Sequence, residues 1–253
     1  MGNLNGKTAW ITGGGAGIGL AGAVELAKAG ATIVISDCDG PALETALSRV
    51  KDFGPCEPLL LDVTDSKAVM AAAADMEKRY GAIDILVHSA GTNIPDRHFE
   101  TMSIEGWDKL IAVDLSGMFY CCYAVLPGMR TRKDGTIINI SSWAGRYAAA
   151  FTGPAYNSAK RAVIALTETI NIEQCKYGIR ATVILPEEVN TQLVDKRPIV
   201  PPQEARARML QPEDLGVTIA FVAQLPPRVC VNELIISPTF NRSYLGGLNV
   251  TAT

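Results

Sequence analysis

The sequence predicts a doubly wound α/β fold, a mostly parallel sheet of seven strands with helices on both faces. Three observations carry that prediction. Short β-branched runs alternate with helix-length segments from one end of the chain to the other. The inner runs TIVIS, IDILV and TIINI are apolar on consecutive residues, as burial on both faces of a parallel sheet requires. No composition break, repeat or low-complexity stretch interrupts the alternation, so residues 1–253 read as one domain.

Composition excludes several classes. A chain with 48% hydrophobic residues is not disordered, and 253 residues bury a core that needs no disulfide or metal staple. With 23 basic against 26 acidic residues and no basic run, nucleic acid is not an expected partner. Two histidines, and six cysteines without C-x-x-C or zinc spacing, predict free thiols and no metal site. The start MGNLNGKTAW has no charged-then-apolar leader pattern. The apolar stretch 110–129 contains Asp114, Gly117, Pro127 and Gly128 and reads as a buried or interface helix, not a membrane span. The expected location is cytoplasmic, with no membrane partner.

The elements follow in order. A strand at 7–11 runs straight into Thr12-Gly13-Gly14-Gly15-Ala16-Gly17-Ile18-Gly19 and a helix at 17–28. Glycines allow the tight turn and let backbone N–H groups approach a pyrophosphate, so Gly13, Gly15, Gly17, Ile18 and Gly19 are expected to bind a dinucleotide. A plain strand-to-helix turn has little use for five glycines in seven residues. The β-branched strand at 31–36 ends at Asp37, whose carboxylate suits the two hydroxyls of an adenosine ribose and would repel a 2′-phosphate. Its neighbours Ser36, Cys38 and Asp39 offer no cation, so NAD is expected over NADP. A helix at 42–51 leads to a strand at 58–61 ending Leu61-Asp62-Val63, with Asp62 placed for an adenine amino group. Asp65 is better suited to capping the helix at 66–80. The fourth strand, 83–87, precedes His88-Ser89-Ala90-Gly91.

The second half predicts helices at 104–126, 154–177 and 212–224, with strands at 136–140, 179–185 and 233–236. Ser141 and Ser142 follow the fifth strand, and either offers a hydroxyl to a substrate oxygen. The next helix carries Tyr156-Asn157-Ser158-Ala159-Lys160, a spacing that puts Tyr156 and Lys160 on one face. A phenol beside a fixed ammonium and a nicotinamide cation is favoured as phenolate. It then serves as general base toward an alcohol or, protonated, as general acid toward a ketone. Between 187 and 211 the rhythm breaks, with Pro198, Pro201, Pro202 and mixed charge. Such a segment after a strand's C-terminal end is expected to be a substrate lid.

The pieces TGGGAGIG, LLLDV, HSAG, INISS and YNSAK, in this order over residues 7–237, resemble the short-chain dehydrogenase/reductase family in its compact form. The resemblance implies a Rossmann-type domain and a catalytic set of Ser142, Tyr156 and Lys160, with Lys160 also holding the nicotinamide ribose. It implies that Ser89, Ala90 and Gly91 lie against the cofactor, and that Val189 and Thr191 meet the nicotinamide carboxamide. It also implies a homodimer or homotetramer built on the long helices. Their apolar surplus (Met118, Phe119, Cys121, Cys122, Val163, Ile164, Ile170) suits an interface.

Several positions depart from the family pattern. His88 replaces an asparagine and is expected to be structural. Asp114 stands where the family's fourth catalytic residue, an asparagine, works largely through its carbonyl; ionised, it would also strengthen the cation at Lys160. Glu187 replaces a glycine after Pro186. Solvated charge is the plainer expectation for Glu187 and Glu188; the alternative is that one of them borders the substrate and favours hydroxyl-rich or cationic substrates over carboxylates. The tail 241–253, with Tyr244, Leu245 and Leu248, is expected either to cross a partner subunit or to fray. By position, Asn93, Trp143 and Arg146 border the substrate, with Ile94, His98, Tyr147, Phe151 and Leu193 nearby. The expected function is NAD-dependent interconversion of a small or medium secondary alcohol and its ketone by hydride transfer. The alternative on the same fold is a dinucleotide-binding sensor without turnover.

Overall fold

The structure is a computed structural model and describes residues 2–245. Its strands are β1 (Thr8–Thr12), β2 (Thr32–Asp37), β3 (Cys56–Leu60), β4 (Ile85–His88), β5 (Gly135–Ile140), β6 (Ile179–Pro186) and β7 (Glu233–Ile236). They form one sheet in the order β3-β2-β1-β4-β5-β6-β7, and every pairing is parallel. The sequence predicts a mostly parallel sheet; the observed one is parallel throughout. The order in which strands are added reverses between β1 and β4, which opens a crevice at the strands' C-terminal ends where such sheets bind ligands.

The helices are α1 (Gly17–Lys28), α2 (Gly40–Val50), α3 (Ser66–Tyr80), α4 (Ile104–Ile111), α5 (Gly117–Arg132), α6 (Trp143–Arg146), α7 (Pro154–Gln174), α8 (Gln203–Ala207) and α9 (Pro212–Ala223). Successive strand residues point to opposite faces, and the core divides accordingly. Ala9, Ile11, Ile33, Ile35, Ile85, Val87 and Ile138 pack against α1, α2 and α9. Trp10, Val34, Leu86, Ile137, Val183 and Leu185 pack against α3, α5 and α7.

Departures from the expected boundaries have local causes. The third strand starts two residues early, at Cys56, and is an edge strand, which tolerates Pro58 and leaves Leu60 exposed. The fourth starts two residues late. Asp84 is held by the Lys7 ammonium at 3.0 Å and accepts the Thr8 N–H at 2.9 Å, which fixes the chain just before the ladder. The helix expected at 104–126 runs through to Arg132, with a π-helical turn at Ala112–Ser116 between α4 and α5. Ile104–Arg132 is long and apolar enough to cross a membrane by composition, but Met118, Cys121, Cys122, Val125 and Met129 are buried against the sheet.

That burial corrects one expectation. Of the seven residues assigned to a surplus for subunit contact, Met118, Cys121, Cys122, Val163, Ile164 and Ile170 lie in this chain's own core, and only Phe119 is exposed. The six cysteines are free.

Helix α1, which carries the glycine loop, is held closely by α9. A side-chain carbon at Gly216 would come within 2.7 Å of the Ala21 carbonyl oxygen, and one at Gly22 within 2.9 Å of Ile219 Cδ1. Gly216→Val is therefore expected to force the helices apart and destabilise the fold by about 1–3 kcal/mol. The check is a lower urea midpoint at unchanged slope, and an unchanged midpoint would refute the close approach.

Candidate active site

The strand ends surround a cleft of about 1460 Å³. That is larger than the roughly 300–1,000 Å³ typical of small-ligand sites. At one end lies the glycine loop. Gly13 has φ +62°, and a Cβ there would lie 2.7 Å from the Ala90 amide nitrogen. The N–H of Gly15 donates to Asp37 Oδ2 at 3.1 Å, where a side chain on residue 15 would intrude. Helix α1 has Ala16 at its N-cap, with no side-chain cap and no acid in its first turn, so the positive end of its dipole is open to the cleft. The acids at the other helix starts are occupied: Asp39 caps α2 and Asp65 caps α3. Asp37, Asp62 and Val63 line the cleft beside this loop, with Asp62 Oδ1 accepting from the N–H and hydroxyl of Thr64. A loop too crowded for side chains, an uncapped helix end and a carboxylate at the tip of β2 fit a dinucleotide.

The cleft continues past Ser89, Ala90 and Gly91 to α7. Pro154 at the first helical position starts that helix, and Gly153 (φ +82°) turns the chain into it. Lys160, 4% exposed, has its Nζ 5.5 Å from the centre of the Tyr156 ring and donates to the Ile140 carbonyl at 3.4 Å. The same Nζ lies 3.9 Å from Asp114 Oδ1. Asp114 is carried into this place by the π-helical turn, a feature that recurs at functional sites. Its Oδ1 accepts the Thr92 N–H at 2.7 Å, and its Oδ2 has no partner. Burial, partly opposed by the Lys160 charge, pushes the Asp114 carboxyl up to about 6. A Cβ on Gly91 would sit 3.1 Å from both Asp114 Oδ1 and Lys160 Nζ, so glycine is what lets the backbone lie over this pair.

The two serines have different places. Ser141 is buried and donates to the Lys160 carbonyl at 2.7 Å. Ser142 accepts the Ala144 N–H and lines the cleft with Tyr156, whose hydroxyl has no partner among the described residues. Val189 and Thr191 line the opposite wall, and Thr191 Cγ2 lies 3.2 Å from where a Cβ on Gly17 would be.

At the substrate end the outcomes divide. Trp143 lines the cleft and packs on Tyr147 and Tyr244. Asn93 lines it too, but its amide is committed to the Thr152 carbonyl and the Ile94 N–H. Arg146 does not reach the cleft: α6 turns it toward β7, where it makes a paired contact with the Glu233 carboxylate. The expectation of solvated charge at 187–188 is also corrected. Glu188 is 5% exposed and accepts from Arg197 at 2.6 Å and from two nitrogens of Arg242 at 2.8 and 2.6 Å. Glu187 is half-buried in the cleft wall, accepts from the Ser243 hydroxyl at 2.8 Å, and is pushed upward by that burial.

Residues 241–245 of the tail are held against this chain's own cleft through Arg242, Ser243 and Tyr244; Leu248 and the rest lie outside the described residues. The segment 187–211 contains a 3-10 turn at Gln192–Lys196 and α8. Sequence reasoning missed Arg97, Arg197 and Arg242, which had no motif to mark them.

Fold and site place the chain among dinucleotide-dependent oxidoreductases, and comparison narrows the class. Residues 7–199 match the family described as short chain dehydrogenase, and the chain belongs to it. It is 36% identical over 212 residues to D-beta-hydroxybutyrate dehydrogenase of Rhizobium meliloti (strain 1021), covering 83% of this chain and 80% of that one. An NAD+-bound xylitol dehydrogenase superposes with a TM-score of 0.82 at 25% identity, covering 93% of this chain and 99% of the other. A metagenomic short-chain oxidoreductase in complex with NADP gives 0.81 at 30% identity over the same shares. Dinucleotides of both kinds thus occur among its structural neighbours.

His88 sits at the end of β4 beside this machinery, 2% exposed. Its Nδ1 shares a 2.9 Å hydrogen bond with Thr12 Oγ1, and its Nε2 has no partner. Burial first, and the charge of Lys160 second, bring it down to about 3. The unfolded chain therefore binds a proton here below about pH 6.5 that the native chain refuses, so stability falls as pH drops through that range. The expected slope from this residue is roughly 1.4 kcal/mol per pH unit. His88→Asn should show a flatter dependence of the urea midpoint on pH between about 6.5 and 4.5. Parallel curves for the two proteins would contradict this.

Proposed function

We propose that the chain is an NAD-dependent dehydrogenase that interconverts a secondary alcohol and a ketone. The observation that carries this reading is one continuous cleft. It joins an uncapped, glycine-lined helix end to a partner-free tyrosine hydroxyl backed by a buried lysine. NAD, when bound, supplies the hydride acceptor. Gly13, Gly15, Gly17, Ile18 and Gly19 hold its pyrophosphate, Asp37 its adenosine ribose, and Asp62 and Val63 border its adenine. Ser89, Ala90, Gly91, Val189 and Thr191 lie along the nicotinamide half. Asp37 favours NAD because its charge opposes a 2′-phosphate.

Ser142 donates its hydroxyl to the substrate oxygen and fixes its direction. Tyr156 takes the proton of the alcohol in oxidation and returns it in reduction. Lys160 steadies the negative oxygen of Tyr156 and reaches the nicotinamide ribose, while ionised Asp114 steadies the ammonium of Lys160. Trp143 and Glu187 line the substrate end, and the segment 187–211 forms a lid over it. The family's habit of assembling supports a homodimer or homotetramer, with exposed Phe119 and Tyr123 on α5 available for contact.

Purified protein is expected to form NADH from NAD with members of a panel of polyols, hydroxy acids and secondary alcohols. Tyr156→Phe should lose roughly 10²- to 10⁴-fold in rate while still binding NADH. Preference for NADP would overturn the role of Asp37. NADH binding without turnover in either direction would favour a sensor. A second measurement addresses Asp114. It ionises near 6, so the wild-type profile of log kcat/KM should carry a limb there, falling toward acid as the carboxylate is lost. Asp114→Asn, neutral at every pH, should lack that limb and run flat at the wild type's acid-side level, so that the limb is a shallow step and most of the activity is kept. Superimposable profiles would remove any electrostatic part for Asp114.

A further inference from the structure

Charge at the substrate end of the cleft is unevenly matched. Three guanidiniums gather there, from Arg97, Arg197 and Arg242. Both carboxylates of the same region are already engaged. Glu188 is shared by Arg197 and Arg242, and Glu187 accepts from the Ser243 hydroxyl and the Glu188 N–H. Arg97 has no carboxylate within ion-pair reach among the described residues, although it is only 2% exposed and lines the cleft. Its Nε and Nη2 donate to the main-chain carbonyls of Ile94 at 2.6 Å and Lys196 at 2.5 Å, and its Nη1 has no partner among the described residues.

A buried guanidinium with only neutral acceptors is poorly compensated, because losing water costs a charge far more than two carbonyls return. The like charge of Arg197 adds to this, and Arg97 lines the same cleft as Tyr156. Lys196, whose Nζ donates to Thr92 Oγ1 at 3.3 Å, is a second cation at the same mouth, with no carboxylate partner among the described residues. Two main-chain anchors also fix the Arg97 fork, so it needs little ordering to receive a ligand.

We propose that Arg97 determines specificity by holding a substrate carboxylate, so that the alcohol oxidised at Tyr156 belongs to a hydroxy acid. This rests on the dehydrogenase reading above. The carboxylate completes the charge balance of the pocket, in the same cleft whose wall carries Tyr156. A neutral alcohol of the same shape leaves Arg97 buried without a counter-charge and gains less from closing the site.

The test uses whole protein saturated with NAD and two probes, 3-hydroxybutyrate and its methyl ester. Binding is read by titration calorimetry and turnover by NADH formation. The acid is expected to bind and react better than the ester by roughly 10- to 100-fold, the worth of one charge-assisted hydrogen-bonded contact. Arg97→Met should erase that ratio by weakening the acid and sparing the ester, and Arg97→Lys should restore part of it. NADH affinity should not change in either variant. Equal loss for acid and ester in Arg97→Met means that Arg97 only ties the Ile94 loop to the lid, and overturns the proposal. So does wild-type protein that binds the ester as well as the acid, or that binds neither. Full turnover in Tyr156→Phe would instead overturn the dehydrogenase reading, which keeps the two failures apart.

Discussion

The site depends on keeping the ammonium of Lys160 out of water. It lies beneath the Tyr156 ring, against the Ile140 carbonyl and within 3.9 Å of Asp114, and is 4% exposed. A buried charge of this kind persists only if its surroundings answer it. Each surrounding group comes from a different element: β5 supplies the carbonyl, the π-helical turn the carboxylate, α7 the ring, and the turn after β4 the glycine that leaves room. The parallel sheet brings these together because all its strands end on the same side.

Asp114 and His88 are best understood together. Each stands where the resemblance calls for asparagine, each is buried, and each keeps one polar atom without a partner beside Lys160. An asparagine in either place would be neutral at every pH. The two titratable groups instead place a proton-sensitive pair around a fixed cation, one held neutral and the other poised near 6.

Much of this was legible in the sequence because the signals were local. Five glycines between a strand and a helix, acids at two strand ends and Tyr156–Lys160 at helical spacing each carry their meaning within a few residues. The capping role of Asp65 was readable for the same reason. What was hidden depends on distant partners. No glycine or proline inside 112–116 marks the π-helical turn; Asp114 meets the Thr92 N–H across 22 residues. Arg146 looked like a pocket residue until Glu233, 87 residues on, turned out to hold it. Phe119 and Met118 are adjacent in sequence but lie on opposite sides of the protein surface, a division that apolar composition alone does not reveal.

Glu188 is fully answered only by two arginines, and the second lies 54 residues further along the chain. As a ribosome extends the chain, the sheet through β6 and its dinucleotide-facing loops are complete while that carboxylate still has a single counter-ion. The far wall of the cleft therefore has its full charge balance only once Arg242 has been added. A nascent chain would acquire its nucleotide cradle before the chamber in which that nucleotide could be used.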